Sequence, residues 1–127
     1  MSELTCLELS VLLWIVHLLV QAGTANAALP LSYLLSSRDV PLEPKGPMAG
    51  RARRALANYV ESFTAFAALD LAFIALHGSA GIWPTVWIVA RIVYLPLYLF
   101  NVIYVRTLAW AVSLLAIVMM LVRLIGS

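Results

Sequence analysis

The feature that most constrains the fold is a succession of four apolar stretches, each long enough to cross a bilayer. They fall within residues 4–35, 51–76, 83–103 and 107–125, and short segments join them. A transmembrane helix needs about 20 consecutive, mostly apolar residues. Of the 127 residues, 64% are hydrophobic and 11% are charged, whereas about 25% of residues are charged in soluble domains. The sequence therefore predicts a single integral membrane domain over residues 1–127, an all-α four-helix bundle whose helices run up and down.

Positive charge is concentrated around the one long polar connection, residues 36–50. This segment holds three prolines and two glycines in fifteen residues, a composition that favours a loop. The basic residues in it and directly after it are Arg38, Lys45, Arg51, Arg53 and Arg54. Because cytoplasmic connections of membrane proteins carry an excess of Lys and Arg, we expect this loop in the cytoplasm and both termini on the opposite side. Aromatic residues are not interleaved with these charges, so no nucleic-acid partner is predicted.

The first apolar stretch, residues 4–35, permits two interpretations. Residues 11–20 resemble the apolar core of a signal peptide. However, Glu3 and Glu8 precede them where a signal peptide carries basic residues. We therefore predict a retained first helix, with a kink near its end at Pro30.

Polar residues lie on one face of this first helix, because His17, Gln21 and Thr24 follow one another at i, i+4 and i+7. They either line a pocket or a subunit interface, or make hydrogen bonds between closely packed helices. The spacing leaves both possibilities open. The single cysteine, Cys6, excludes an intrachain disulfide, and no metal site is predicted.

The second apolar stretch contains a row of polar side chains. Arg54, Asn58 and Glu61 stand at i, i+4 and i+7, which places them on one helical face. Ionisable groups inside a membrane are costly and are candidate functional residues, so this face is predicted to bind a small charged ligand at a membrane interface. Asp70 lies about 24 Å from Arg54 along the helix axis and on a different face from Glu61. We expect it to face another helix or a subunit contact and to be paired there.

The third stretch repeats the pattern, with Arg91, Tyr94 and Tyr98 at i, i+3 and i+7. Arg91 falls well inside the hydrocarbon region, where a charge needs a partner. Glu61 and Asp70 are the acidic residues available at depth, so we expect one of them to pair with Arg91.

Together the two polar faces suit a small zwitterion. Arg54 can pair with a carboxylate, Glu61 can hold an ammonium group, and Asn58 can donate and accept hydrogen bonds. Arg106 follows in the next turn and adds a second guanidinium at the same end. The alternative is structural: an Arg91–Glu61 ion pair that fixes the helix register, with the other arginines acting only as a topology signal.

Two motifs resemble those of the MAPEG family, the membrane-associated proteins in eicosanoid and glutathione metabolism. They are Arg54-Ala55-x-x-Asn58-x-x-Glu61 in the second helix and Arg91-x-x-Tyr94-x-x-x-Tyr98 in the third. Both occur in the order and in the helices typical of the family, and four crossings of this length match the whole chain. Residues 106–110, RTLAW, are most similar to the bacterial branch of the family.

The resemblance implies a trimer of four-helix subunits in the lipid bilayer, with glutathione as co-substrate held between subunits near the cytoplasmic face. Arg106 is the candidate for the family arginine that stabilises the glutathione thiolate, and is the predicted catalytic residue. The bacterial branch implies a multi-pass protein of the bacterial inner membrane. The predicted glutathione-binding residues are Arg54, Asn58, Glu61, Arg91, Tyr94, Tyr98 and, for the arginine near the end of the first helix, Arg38.

For activity, the resemblance implies a glutathione-dependent transferase or peroxidase that acts on a hydrophobic electrophile arriving from the bilayer. Two alternatives remain open. One is a non-catalytic MAPEG-like protein that binds a small anion or a lipid, and the other is a small four-helix transporter. Whether the chain is an enzyme is therefore not decided by the sequence.

Overall fold

The computed structural model describes residues 1–37, 39 and 46–127, and all of its regular structure within these residues is helical. Four helices are long, with 17 to 28 residues, and one is a single turn of four residues. The helices are α1 (Glu3–Ala28), α2 (Leu31–Leu34), α3 (Met48–Ala75), α4 (Trp83–Leu99) and α5 (Ile103–Ile125).

The helix ends follow local sequence signals. The Ser2 side chain accepts a hydrogen bond from the Thr5 backbone N–H at 3.1 Å and caps the start of α1. The predicted single helix over residues 4–35 is interrupted, because Leu29 and Pro30 adopt extended backbone conformations between α1 and α2. Proline has no N–H to continue the helical hydrogen bonds, so the break is complete where the sequence predicted a kink.

The two short turns after α3 and α4 each use a positive φ. His77 has a φ of 53° after α3, and Asn101 has a φ of 58° after α4. Asn tolerates this left-handed conformation better than most residues. The turn after α4 is short, and α5 begins at Ile103, four residues earlier than the predicted start at 107.

Successive long helices run in opposite directions. Near the start of α3, Arg54 meets Tyr98 near the end of α4. At the other end, Glu3 of α1 accepts a hydrogen bond at 2.9 Å from the backbone N–H of Ala80 in the α3–α4 turn. The end of α5 lies at this same end, with the Arg123 guanidinium beside Gly81. We call the end that holds Arg54 the arginine end of the molecule.

The apolar core lies between α1, α3, α4 and α5. Phe66 of α3 stacks on Trp87 of α4, with ring centroids 3.9 Å apart and ring planes 5° from parallel. Such aromatic pairs add about 0.5–1.5 kcal/mol to the burial of their surface. Other fully buried members of the core are Cys6, Tyr59, Ile88, Ala116 and Met120. The core holds these four helices together. The contact between Arg54 and Tyr98 lies outside it, at the arginine end.

Among the residues that the structure describes, two helical segments are long and apolar enough to cross a membrane by length and composition, Glu3–Ala27 and Ile103–Ile125. The helix Trp83–Leu99 is also apolar but is shorter. Many of their large apolar side chains are exposed, as for Leu108 at 64% and Leu19 at 67%. These outward faces suit contact with lipid.

Candidate functional site

The two predicted polar faces meet between α3 and α4. Arg54 Nε donates a hydrogen bond to the Tyr98 hydroxyl at 3.2 Å, and Arg91 Nη2 donates to Asn58 Oδ1 at 2.9 Å. Because α3 and α4 are antiparallel, the two contacts lie about one helical turn apart along the interface. Residues 33 and 44 positions apart in the sequence are thereby brought together.

Arg91 is fully buried among aromatic rings. Its guanidinium carbon lies 4.4 Å from the ring centroid of Tyr94 and 5.5 Å from that of Tyr59, and such cation–π contacts are attractive. Its Nε and Nη1 atoms are buried without a hydrogen-bond partner. Asn58 and the two rings therefore position the charge without neutralising it.

The expectation that Glu61 or Asp70 pairs with Arg91 is wrong. Glu61 is exposed, and Asp70 is fully buried with neither carboxylate oxygen hydrogen-bonded. Asp70 lies twelve residues beyond Asn58, about 18 Å further along α3, and so is too far from Arg91. Glu61 is turned by about 60° around the helix from Asn58, and within the described residues the bond from Arg91 goes to Asn58 and not to Glu61.

Arg106 lies in the first turn of α5, where its guanidinium carbon sits 4.5 Å from the ring centroid of Tyr98. The Tyr98 ring is itself 5.6 Å from that of Tyr94 and is tilted by 43° to it. Tyr98 thus has two roles, because its hydroxyl accepts from Arg54 while its ring face supports Arg106. One side chain links arginines from α3 and α5.

These side chains enclose a cavity of about 240 Å³, which we call the tyrosine cavity. Four of its six lining residues are predicted site residues, and Thr107 and Trp110 of α5 were not predicted. The i, i+4 spacing of Arg106 and Trp110 is the signal that places both on one face of α5. The lining residues are Asn58, Tyr94, Tyr98, Arg106, Thr107 and Trp110.

A second cavity, of about 200 Å³, lies between α1 and α3 at the arginine end, and we call it the arginine cavity. Arg54 lines it and also contacts Tyr98 of the tyrosine cavity. A Cβ atom added to Gly50 would lie 3.1 Å from Arg54 Nη1, so the glycine gives the guanidinium room. The lining residues are Gln21, Ala25, Gly46, Ala49, Gly50, Arg53 and Arg54.

The remaining basic residues of the sequence prediction are Arg51, Arg38 and Lys45. Arg51 Nη1 donates to the Leu99 carbonyl at 3.2 Å, so it binds the C-terminal end of α4 as well as adding positive charge. Arg38 and Lys45 lie outside the described residues. Glu61 lines neither the tyrosine cavity nor the arginine cavity.

A comparison with protein-family models identifies the family of the chain. The model described as the MAPEG family matches residues 6–126. The chain belongs to the MAPEG family. No match was found among curated proteins or among solved structures. The family includes glutathione-dependent transferases and peroxidases as well as non-catalytic members. Family membership and the two long apolar helices together indicate an integral membrane protein.

In this MAPEG protein, the polar face of the first helix divides between several environments. His17 is buried and stacks on Tyr59, with ring centroids 4.6 Å apart, and both of its ring nitrogens lack a hydrogen-bond partner. Tyr59 donates its hydroxyl to the Ser10 carbonyl oxygen. Gln21 lines the arginine cavity, whereas Thr24 bonds to the Val20 carbonyl of its own helix at 2.8 Å. Gln21 therefore lines a pocket, whereas within the described residues neither His17 nor Thr24 forms a hydrogen bond to another helix.

The MAPEG chain also has an apolar groove of about 440 Å³ between α4 and α5. Thr85 is the one side chain in its lining that carries a hydroxyl, and the remainder is aliphatic. The lining residues are Ile82, Thr85, Val86, Val89, Ala90, Val93, Val105, Leu108, Ala109 and Val112. A groove of this composition suits an apolar group in contact with the bilayer.

Proposed function

We propose that this MAPEG protein is a glutathione-dependent membrane transferase or peroxidase that acts on hydrophobic electrophiles. The observation that carries the proposal is the arrangement around Tyr98. Its hydroxyl accepts from Arg54 and its ring supports Arg106, so two guanidinium groups converge on the tyrosine cavity and its edge. Glutathione carries two carboxylates and a thiol, which are the groups such cations bind and activate.

Arg106 is the proposed catalytic residue because it is the cationic side chain in the lining of the tyrosine cavity. A thiol with an ordinary pKa of about 8.5 is mostly protonated at neutral pH. A nearby guanidinium lowers the pKa of a bound thiol and so increases the thiolate fraction. The thiolate sulfur then forms a bond to the electrophilic carbon, while the leaving group departs with its bonding electrons and the thiol proton goes to water.

The other site residues bind and orient the tripeptide in this proposal. Arg54 pairs with a carboxylate, and the amide NH₂ of Asn58 remains to donate, since its oxygen already accepts from Arg91. Tyr94 and Tyr98 offer hydroxyl groups at the cavity wall. Arg91, buried behind Tyr94, adds positive potential and fixes Asn58.

We further propose that three copies assemble in the membrane with glutathione between neighbouring subunits. The exposed position of Glu61 supports this arrangement, because Glu61 is free to reach a ligand or a neighbouring subunit rather than Arg91. In the trimer Glu61 holds the ammonium group of glutathione, and Arg38 binds from the end of the first helix. The four long helices cross the bacterial inner membrane, with residues 36–50 in the cytoplasm and both termini opposite.

The hydrophobic reactant is proposed to reach the site from the bilayer. Support comes from the apolar groove, which lies between α4 and α5, the same two helices that supply most of the tyrosine cavity. An apolar chain gains about 0.8 kcal/mol per methylene that it removes from water. Such a reactant therefore partitions into the membrane before it meets the thiolate.

A second candidate function is binding without catalysis. The observation that favours it is the packing of Arg106 on Tyr98. Because one face of the guanidinium is covered by the ring, fewer of its sides are open to a thiol. In this case the site binds glutathione or another small anion and does not catalyse a reaction.

Titration of glutathione into the detergent-purified protein tests the proposal. The wild type is expected to bind glutathione saturably, and Arg54→Ala and Glu61→Ala to bind it more weakly. Arg123→Gln is the matched control, because Arg123 lies at the opposite end of the helices. Absence of saturable binding by the wild type would overturn the proposal. If glutathione binds, turnover of a chlorodinitrobenzene separates the enzyme from the non-catalytic binder.

A further inference from the structure

The arginine cavity has the composition of an anion site, and apart from Arg54 its lining residues have no role in the proposed reaction at the tyrosine cavity. Two guanidinium groups, Arg53 and Arg54, and one side-chain amide, Gln21, line its 200 Å³, and none of the described residues in its lining is acidic. Guanidinium and amide N–H groups are donors, so the described part of the lining offers several donors and no carboxylate. Carboxylate and phosphate oxygens are the groups that match it.

We propose that the arginine cavity is a second binding site, which holds a carboxylate or phosphate group between Arg53 and Arg54 with Gln21 as a further donor. Arg54 belongs to both cavities through its contact with Tyr98. An anion bound in the arginine cavity therefore contacts Arg54, the side chain that also borders the tyrosine cavity.

One source of the anion is glutathione itself, and in that case the inference rests on the proposed function. An extended tripeptide spans about 10 Å. Arg53 and Asn58, which line different cavities, are about 7.5 Å apart along the axis of α3 and about 140° apart around it. Arg54 lies between them, because it lines the arginine cavity and contacts Tyr98. In this arrangement, glutathione with its thiol in the tyrosine cavity places one carboxylate on the arginine-cavity side of Arg54.

The other source is the phosphate of an anionic phospholipid. The cavity lies at the arginine end, where the chain concentrates its positive charge. Basic side chains near a membrane surface are attracted to anionic lipids by about 1 kcal/mol each. The chemistry of the site is the same for both sources, and the experiment separates them.

The first arm of the experiment measures glutathione affinity in nanodiscs of phosphatidylcholine. The variants are Arg53→Gln, Gln21→Leu and the control Arg123→Gln. A charge-assisted hydrogen bond contributes about 1.5–3 kcal/mol, so Arg53→Gln is expected to weaken glutathione binding about tenfold or more. Arg123→Gln, which removes the same charge at the other end, is expected to match the wild type.

Two glutathione analogues show which group occupies the cavity. One is the ethyl ester of the glycine carboxylate, and the other lacks the α-carboxylate of the γ-glutamyl residue. The analogue that lacks the bound carboxylate is expected to bind the wild type and Arg53→Gln equally, since the interaction is already lost. If Arg53→Gln weakens the binding of glutathione and of both analogues by the same factor, neither carboxylate of glutathione occupies the arginine cavity.

The second arm measures binding of a fluorescent phosphatidylglycerol to the same variants without glutathione. If the cavity holds lipid phosphate, Arg53→Gln and Gln21→Leu weaken phosphatidylglycerol binding, while Arg123→Gln does not. The proposal is overturned when Arg53→Gln changes neither glutathione nor phosphatidylglycerol affinity relative to Arg123→Gln. A wild type that binds no glutathione refutes the proposed function instead, and the lipid arm still tests the anion site.

Discussion

Arg91 Nη2 donates a hydrogen bond to Asn58 Oδ1 at 2.9 Å, and this neutral acceptor is the polar partner of a fully buried guanidinium. Glu61 and Asp70, the acidic residues of the same helix, do not take part. A buried charge with one acceptor and two unpaired N–H donors is sensitive to loss of that acceptor. The contact therefore makes Asn58 a structural residue as well as a proposed ligand-binding residue.

Asn58→Leu is expected to destabilise the protein, because it removes the acceptor and leaves the buried guanidinium without a partner. The expected loss is about 1–3 kcal/mol in the free energy of unfolding, measured by denaturation in detergent. Asn58→Asp keeps an acceptor oxygen and is expected to unfold close to the wild type. Thr64→Val, at an exposed position of the same helix, is the control. Equal stability of Asn58→Leu and Thr64→Val would show that Arg91 does not depend on this bond.

The sequence predicted which residues share a helical face, because the 3.6-residue period fixes angles within one helix. It thereby placed Arg54 and Asn58 toward Tyr98 and Arg91. It did not predict that Arg91 bonds to Asn58 and not to Glu61. Which residue of a polar face meets the neighbouring helix depends on how the two helices pack.

The arginine cavity is a clearer example of a site that depends on how helices pack and not on the pattern within one helix. Gln21 and Arg53 are in helices joined through residues 36–50, and nothing in the local sequence fixes their relative height. Their meeting follows from the packing of α1 on α3, as in the contact between His17 and Tyr59. Trp110 was missed for a different reason, because residues 107–125 hold no row of polar residues like those of the second and third apolar stretches.

Tyr98→Phe and Tyr98→Leu are expected to separate the two roles of Tyr98. The phenylalanine removes the acceptor for Arg54 but keeps the ring under Arg106, and one such hydrogen bond is worth about 0.5–1.5 kcal/mol. Glutathione affinity is therefore expected to fall a few-fold in Tyr98→Phe. Turnover of the electrophile is expected to fall further in Tyr98→Leu, which also releases Arg106.

Calorimetric titration gives the affinities, and a spectrophotometric assay gives the turnover. Tyr104→Phe serves as the control because Tyr104 is 89% exposed. If both Tyr98 variants bind and turn over like Tyr104→Phe, Tyr98 does not position either arginine.

Gly50→Ala is expected to weaken ligand binding without destabilising the fold. Alanine favours a helix interior over glycine by about 0.5–1 kcal/mol, but its Cβ would stand 3.1 Å from Arg54 Nη1 and displace that guanidinium. Gly23→Ala is the matched control, because no atom outside its own helix backbone lies within 4 Å of the added Cβ. Both variants are expected to unfold at the same or a higher temperature. A fall in glutathione affinity confined to Gly50→Ala supports the placement of Arg54, and equal affinities contradict it.

Asp70→Asn is expected to stabilise the protein at neutral pH and to leave glutathione affinity unchanged. Asp70 is fully buried, and neither of its carboxylate oxygens has a hydrogen-bond partner. A neutral amide of the same shape costs less to bury than a carboxylate, because an uncompensated charge loses more solvation. The expected gain in the free energy of unfolding is below the cost of about 1–3 kcal/mol for an unsatisfied buried polar group, because the asparagine amide remains unsatisfied and only the charge is removed.

The thermal midpoint of detergent-purified Asp70→Asn, compared with wild type and Glu8→Gln, measures this gain. Glu8 is an exposed acid of α1, so its replacement removes the same charge without relieving burial. A midpoint of Asp70→Asn below that of Glu8→Gln would mean that the carboxylate has a stabilising partner. In that case a polar contact of Asp70 would stabilise the apolar core in addition to the stacking of Phe66 on Trp87.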